Sequence, residues 1–383
     1  VSRLRGLAAR LVGRRDVVDV VGEGLGRIVE LEATVPPVER PDLVDASGPV
    51  RAARRDWDAP RAAEGVLVVR GARLEARRAL DAPAGVRVGR LVAAADGRPL
   101  AGATTLLDVA SAPLDGGGDD GGDGDVVRVD GTLALLDLHG RSAVNYFHWH
   151  VDALASRWLV DRVGPGGDGH DGHVVPWGGS DWQRASLAVA GMDGPRTRTL
   201  EHVRAIEAER FLVPLRSFGS RRVPWWTVEA LRTIAPLTAD ALAGVAGPRL
   251  LYVSRADATR RRIVGEEPLV AALGALGFVV VTLEGRDYDA QRRLFHEADV
   301  IVAPHGAALT NLVWARAGTS VVELVPARRP NFAFHRIAVE AGCTWRGVLC
   351  PPSPDGTGDE HDDLVVDPAV VLPVVERALA GLG

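Results

Sequence analysis

The sequence predicts an α/β protein with mostly parallel sheets flanked by helices. Three observations carry that expectation. From Ala298 to Pro326 an apolar run, a tight His305-Gly306 turn, an amphipathic stretch and a second apolar run follow one another, the pattern of strand, turn, helix and strand. The same alternation extends to either side of this segment. The length of 383 residues exceeds one ordinary core and points to two domains of about 150–200 residues each.

Residues 1 to about 60 mix helical periodicity with a Pro- and charge-rich connection, Pro36 to Pro41. The basic start, residues 1–25, lacks the compact apolar core and cleavage site of a signal peptide. It reads as a surface helix, or as a basic amphipathic helix resting on a membrane or a partner. Short β-like runs fill Gly65 to Ala95. Asp115 to Asp125 alternates Asp and Gly, but without the spacing and closing Glu of an EF-hand it reads as a flexible acidic loop. Gly164 to His173 is similar, and its histidines read as loop filler.

Thr132 to Leu138, Val174 to Pro176 and Arg210 to Pro214 read as strands, the last two each after a helix-like stretch. A linker-like segment, Ser217 to Trp226, precedes a helix from about Thr227. Ala246-Gly247-Pro248 reads as the domain boundary, which gives domains over 1–245 and 246–350 and a Pro-rich connection with a final helix over 351–383. Beyond it, Arg249 to Ser254 and Phe278 to Leu283 read as strands. Glu266 to Leu276, Tyr288 to Glu297 and Asn331 to Ala341 read as helices. Asp367-Pro368 supplies a cap and a first-turn residue for the last one. That helix is expected to pack back toward the first domain.

Composition narrows the function classes. The formal charge of −5 and pI near 6.1 argue against nucleic acid as the main partner. Apolar content of 46% with mean hydropathy near zero (+0.05) suits a soluble globular protein. There is no lysine, so all 45 basic residues are arginine, and a single arginine carries less weight than usual. Cys343 and Cys350 are too few for a disulfide framework or a thiolate metal site and read as buried free thiols. No apolar run approaches the roughly 18 residues of a spanning helix. The expected location is the cytoplasm, with peripheral contact at the inner face of the membrane left open.

Three stretches can carry chemistry. Asn145 to Asp161 on a helix places Phe147, Val151, Leu154 and Trp158 on one apolar stripe and His148 and Asp152, four apart, on another face. A carboxylate one turn from an imidazole fixes its tautomer and raises its basicity, as a base that deprotonates a hydroxyl requires. The plain alternative is an ordinary surface His–Asp pair. His150 points away from His148, so the two do not share a metal.

The second stretch, Leu251 to Ile263, ends a strand in Ser254-Arg255 and adds Arg260-Arg261-Arg262, where arginine can grip phosphate oxygens or simply form a solvated loop. The third is the turn at His305. Small residues there (Gly306, Ala307, Ala308) let an anion approach the backbone, and the new helix aims free N–H groups at it. His305 and Asn311 can donate to phosphates or a leaving group, and Glu323 can accept from a ribose or sugar hydroxyl. Trp225-Trp226 either stacks on a sugar or fills an interdomain core. Arg286 and Arg292-Arg293 read as surface charges. Neither GxGxxG nor GxxxxGK[ST] is present, which leaves an NAD-dependent enzyme and a P-loop protein without support.

Taken together, NYFHWHVD (Asn145 to Asp152), LYVSRADATRRRI with Glu266 and Glu267, and DVIVAPHGAALTNLVWARAGTSVVEL (Asp299 to Leu324) resemble glycosyltransferase family 61. That group includes bacterial capsular polysaccharide biosynthesis proteins and eukaryotic xylan- and protein-modifying transferases. The resemblance covers roughly residues 140–350. It implies a GT-B architecture of two Rossmann-like domains, the first on the acceptor side and the second binding the nucleotide-sugar donor. It also implies inverting transfer of a hexose or pentose to a hydroxyl of a glycan or polysaccharide acceptor, with no essential metal and no cofactor beyond the donor. The candidate base is His148 or Asp152. Ser254, Arg255, Arg260, His305, Gly306, Ala307, Ala308, Asn311 and Glu323 are the candidate donor-binding residues. The family's usual pattern has glycine in the position of Ala308. The alternative is a non-catalytic nucleotide-binding or assembly protein of the same fold.

Overall fold

The computed structural model describes residues 26–30, 40–51, 65–78, 86–93, 124–137, 140–163, 169–215, 223–243, 247, 249–357 and 361–382. The readings made for residues 1–25 and for most of Asp115 to Asp125 lie outside these. The chain divides into two compact units. One comprises Val1–Thr34, Arg61–Ser220 and Glu229–Pro236; the other comprises Val35–Pro60, Arg221–Val228 and Leu237–Gly383.

In chain order the strands begin with β1 (Gly26–Glu30), the hairpin β2 (Asp42–Asp45) and β3 (Gly48–Val50), then β4 (Gly65–Arg70), β5 (Ala72–Arg78) and β6 (Arg87–Ala93). After β7 (Asp125–Leu135) a helical run follows: α1 (Gly140–Val144), α2 (Tyr146–His148), a π-helical segment (Trp149–Leu154) and α3 (Ser156–Val163). Next come β8 (Gly172–Val174), α4 (Asp181–Val189), β9 (Thr197–Arg198), β10 (Val203–Leu215), α5 (Thr227–Ile234) and α6 (Ala239–Leu242). The remainder is β11 (Leu250–Val253), β12 (Ile263–Val264), α7 (Glu267–Ala275), β13 (Val279–Val281), α8 (Tyr288–Glu297) and β14 (Val300–Pro304). A 3-10 segment (Ala307–Trp314) leads to β15 (Ser320–Pro326), α9 (Ala333–Glu340), β16 (Thr344–Cys350), β17 (Leu364–Val365) and α10 (Pro368–Ala380).

The first unit is built on a mixed sheet in the order β1-β4-β10-β7-β8-β9, with β5 pairing β10 and β6. Only β10, β7, β8 and β9 run parallel; β1, β4, β5 and β6 are antiparallel to their partners. The expectation of mostly parallel sheets is corrected for this unit, where half of the eight strands are antiparallel to their partners. The connection 79–86 between β5 and β6 is too short for the helical crossover that a parallel pair needs. β10 is the spine of this sheet, and the sequence reading caught only its second half. VRAIEAER is rich in helix formers, but Ala205 and Ile206 pair on both sides and are buried, so sheet context overrides propensity. Leu67, Val69, Leu133, Leu135, Ile206 and Phe211 make the core on one face, and α3 packs on β4 and β10.

The second unit has a seven-stranded sheet in the order β13-β11-β14-β15-β16-β2-β3, parallel throughout except for β3. Every residue of β14 and β15 is buried, which explains why they read as unbroken apolar runs. On one face Tyr252, Val300, Val302, Val322 and Leu324 pack with Leu273 of α7 and with Val371 and Val375 of α10. α9 packs on β16 and on the 3-10 segment, as α8 does on the latter. The final helix packs on β14, β15, β16 and α7. Arg292, read as a surface charge, is fully buried, with its guanidinium over the rings of Tyr288 (4.5 Å) and Trp314 (5.0 Å). No helix among the described residues is long and apolar enough to cross a membrane.

His170 and His173 are also corrected. They are buried and face each other through their Nε2 atoms, with His173 lying in β8. Burial, and then the neighbouring His170, push His173 down to about 3. Burial lowers His170 as well, against the opposing pull of Asp161. In the second unit burial pushes His335 down to about 4. Each of these groups is neutral in the fold, whereas its unfolded counterpart takes up a proton below the ordinary value of 6.5. Their contribution is therefore intact above that value and is lost as pH falls toward 4, at up to about 1.4 kcal/mol per pH unit for His173 and for His335. Urea melts between pH 7.5 and 4.5 should show this slope, and His173→Gln should flatten it by about one proton. An unchanged slope in that variant would contradict the assignment.

Candidate active site

In the first unit the parallel strands run β10-β7-β8-β9, so the chain reverses its direction of travel across the sheet between β7 and β10. The helical run that leaves the carboxyl end of β7 carries His148. Its start is fixed by Asn145, whose Oδ1 accepts from the N–H groups of Phe147 (2.9 Å) and His148 (3.2 Å). The turn then widens into the π-helical segment, where Ala155 N donates to His150 O. His148 Nδ1 meets Asp152 Oδ2 at 2.6 Å. The acceptor carboxylate places the proton on Nδ1 and leaves Nε2 with its lone pair. The His148 side chain is 16% exposed and that of Asp152 9%, so the ring reaches the surface while the carboxylate sits behind it. His150, one residue along from Trp149, is fully buried and bonded to Tyr146 O, which keeps it out of this pair.

In the second unit the chain runs from β11 outward to β13 and returns across β11 to β14. β11 and β14 therefore flank a topological switch point, where a crevice opens outside the carboxyl ends of the strands and ligands of such sheets bind. The residues that follow these two ends are Ser254-Arg255 and His305-Gly306. The Arg255 guanidinium lies on Gly306, so that a methyl group built there would overlap Nη1. Gly306 has φ 172, ordinary extended backbone, so the position requires space and not conformational freedom. Arg255 Nε and Nη2 donate to Arg260 O at 3.3 and 2.8 Å. Burial, and after it the Arg261 guanidinium, push the pKa of Arg255 down. A half-buried cation with a like-charged neighbour gains from an anion beside it.

The 3-10 segment supplies the other half of the crevice. Leu309 N donates to Gly306 O at 3.0 Å, so the amides before it belong to a helix start without intrahelical acceptors. Ala307 and Ala308 are half-buried there. Arg260 is exposed, and among the described residues its guanidinium has no hydrogen-bond partner. His305 is buried, its ring 5.0 Å from that of Phe334. Its Nδ1 is 2.5 Å from Glu323 Oε1, while Glu323 Oε2 accepts from Trp345 Nε1 at 2.9 Å.

Three residues expected to face the donor are turned inward. Glu323 is 0% exposed, and its two oxygens face His305 and Trp345, because β15 is buried on both faces. Asn311 is equally buried and donates to Ala308 O at 3.1 Å, holding the 3-10 turn. Ser254 Oγ donates to Glu266 Oε2 at 2.8 Å, and the other oxygen of Glu266 accepts from Tyr252 Oη at 2.5 Å. Arg261 and Arg262 contact His361 and Asp363. Glu266 and Trp345 were not picked out as site residues. Glu266 stood next to a second glutamate in a helix start, and Trp345 lies in a strand the periodicity did not reveal.

A family model described as Glycosyltransferase 61 matches residues 146–322. The beta-1,2-xylosyltransferase XAX1 of Oryza sativa subsp. japonica is 42% identical over 80 residues, covering 21% of this chain and 14% of that protein. The beta-1,2-xylosyltransferase XYXT1 of the same organism is 37% identical over 83 residues, 21% of this chain and 17% of that protein. The chain thus matches only a small part of the length of these relatives. The matched span begins at the His148 helix and runs through both the Arg255 loop and the His305 turn: over these residues the chain is similar to glycosyltransferase 61.

Proposed function

We propose that the protein is an inverting, metal-independent glycosyltransferase of GT-B type that moves a sugar from a nucleotide-sugar donor to a hydroxyl of a glycan or polysaccharide acceptor. The observation that carries the reading is the Arg255 guanidinium laid on Gly306 at the switch point of the second unit. A diphosphate there meets Arg255, Arg260 and the amides that open the 3-10 segment. These supply the positive charge that the departing group needs as its bond to the anomeric carbon breaks. His305 Nε2 faces the same anion, with Glu323 fixing its ring.

His148 is the proposed base and Asp152 the group that orients it. The acceptor hydroxyl gives its proton to Nε2 while its oxygen attacks the anomeric carbon, and the sugar–phosphate bond opens on the opposite side. The donor is its own leaving-group carrier, so the reaction needs no further cofactor. Because both rice relatives are named for xylosyl transfer, a pentose, nucleotide-activated xylose, stands first among donors to try.

A thermal-shift screen with nucleoside diphosphates and nucleotide sugars tests donor binding without knowledge of the acceptor. Arg255→Ala should weaken the best binder about tenfold or more, the scale of a lost charge-assisted pair. Gly306→Ala should do the same by displacing the guanidinium while its charge is kept. Wild-type affinity in both variants would remove the donor site from this crevice. His148→Ala and Asp152→Asn should bind nucleotide normally but lower donor turnover, by about 100-fold or more for the first. Full turnover by His148→Ala would show that the base lies elsewhere.

A further inference from the structure

The loop that carries Arg255 and Arg260 is fastened from outside by a segment near the end of the chain. Arg261 N donates to His361 O at 3.2 Å, and Arg261 Nη2 donates to His361 Nδ1 at 2.8 Å. Arg262 N donates to Asp363 Oδ1 at 2.9 Å, and Arg262 Nε and Nη2 reach Asp363 Oδ2 at 3.1 and 2.9 Å. Leu364 N donates to Arg262 O at 2.8 Å, and β12 pairs in parallel with β17 through Ile263–Leu364 and Val264–Val365. Arg261 has φ 54, a left-handed conformation that a side chain of this size rarely adopts. The bonds on either side of it hold it there.

The segment is itself anchored. Leu364 is 1% exposed within the core shared by β14, β15 and α10, and Val365 N and Ser353 N tie it to the strand exit after β16. Rigid contacts therefore run from this core through Asp363 to Arg262 and Arg261. They fix the carbonyl of Arg260, and that carbonyl accepts the two N–H groups that aim Arg255 at Gly306. Segment 361–365 lies outside the matched span of 146–322.

We infer that Asp363 is a positioning residue of the donor site, a carboxylate that never touches the donor but sets where Arg255 meets its diphosphate. The inference rests on the reading of Arg255 as a diphosphate ligand. It also reassigns two of the three consecutive arginines: Arg261 and Arg262 belong to the fastening, and Arg260 alone of the three keeps its side chain for an anion.

The test uses the full chain and calorimetric titration with inorganic pyrophosphate and with ADP, CDP, GDP and UDP. Asp363→Ala should raise the Kd of pyrophosphate and of the tightest nucleotide about tenfold, the effect of misplacing one charged donor pair. Its ligand-free melting temperature should stay within about 2 °C of wild type, since a partly exposed pair adds little to stability. In donor hydrolysis the loss should appear in KM and leave kcat within about twofold. Asp363→Asn keeps the acceptor for Arg262 N and should fall between the two, and it carries the test if Asp363→Ala does not fold. Wild-type Kd in the Asp363 variants, with binding lost in Arg255→Ala, overturns the inference and leaves the donor site standing. Wild-type Kd in Arg255→Ala overturns the donor site itself.

Discussion

The second unit is organised around one contact, a guanidinium resting on a glycine. Arg255 leaves the end of β11 and Gly306 leaves the end of β14, and only a residue without a side chain lets the two meet. Much of the surrounding structure serves that meeting. Glu266 bonds Ser254 and Tyr252 and so fixes the strand end from which Arg255 departs. Asn311 holds the first turn of the 3-10 segment, and Glu323 and Trp345 hold His305 beside it. Ser254 is paired with Glu266, Asn311 with Ala308 O, and Glu323 with His305 and Trp345, as groups removed from water usually are. The crevice is left with the atoms that have no partner inside.

The first unit repeats one device on a different scaffold. In both units an imidazole Nδ1 faces a carboxylate, His148 with Asp152 and His305 with Glu323, and Nε2 is the atom left over. The supports differ in kind. Asp152 comes from the same helical run as its histidine, four residues on, whereas Glu323 comes from the neighbouring strand. A local pair depends on the winding of one turn; a pair between strands depends on sheet register.

That difference also explains what could be read from the sequence. In the second unit β14 and β15 were legible because they are buried on both faces, and α8 and α9 because they are amphipathic, whereas β2, β3 and β16, with mixed exposure, were not. His148 with Asp152 was legible because spacing alone makes the pair. The roles of Ser254, Asn311 and Glu323 were not, since residue type cannot say whether a polar side chain faces a ligand or a neighbour. Their partners, Glu266 and Trp345, are separated from them in sequence and joined only by folding. The mixed sheet of the first unit escaped for a related reason. β10 earns its strand conformation from partners on both sides, against the helical preference of its own residues. The clasp between Arg262 and Asp363 spans about a hundred positions, 101 by number, and no local pattern announces it.

The π-helical segment has a bearing on how this domain can change. A turn closed by Ala155 N on His150 O holds one residue more than a regular helix would. Shortening the chain by one position there would relax the winding into the more stable form. The widened turn absorbs that residue, so the side chains beyond it, among them the buried Trp158 and Leu159, keep the face they would present in an unbroken helix. Length can therefore vary by one position in this stretch without disturbing what the rest of the helix covers.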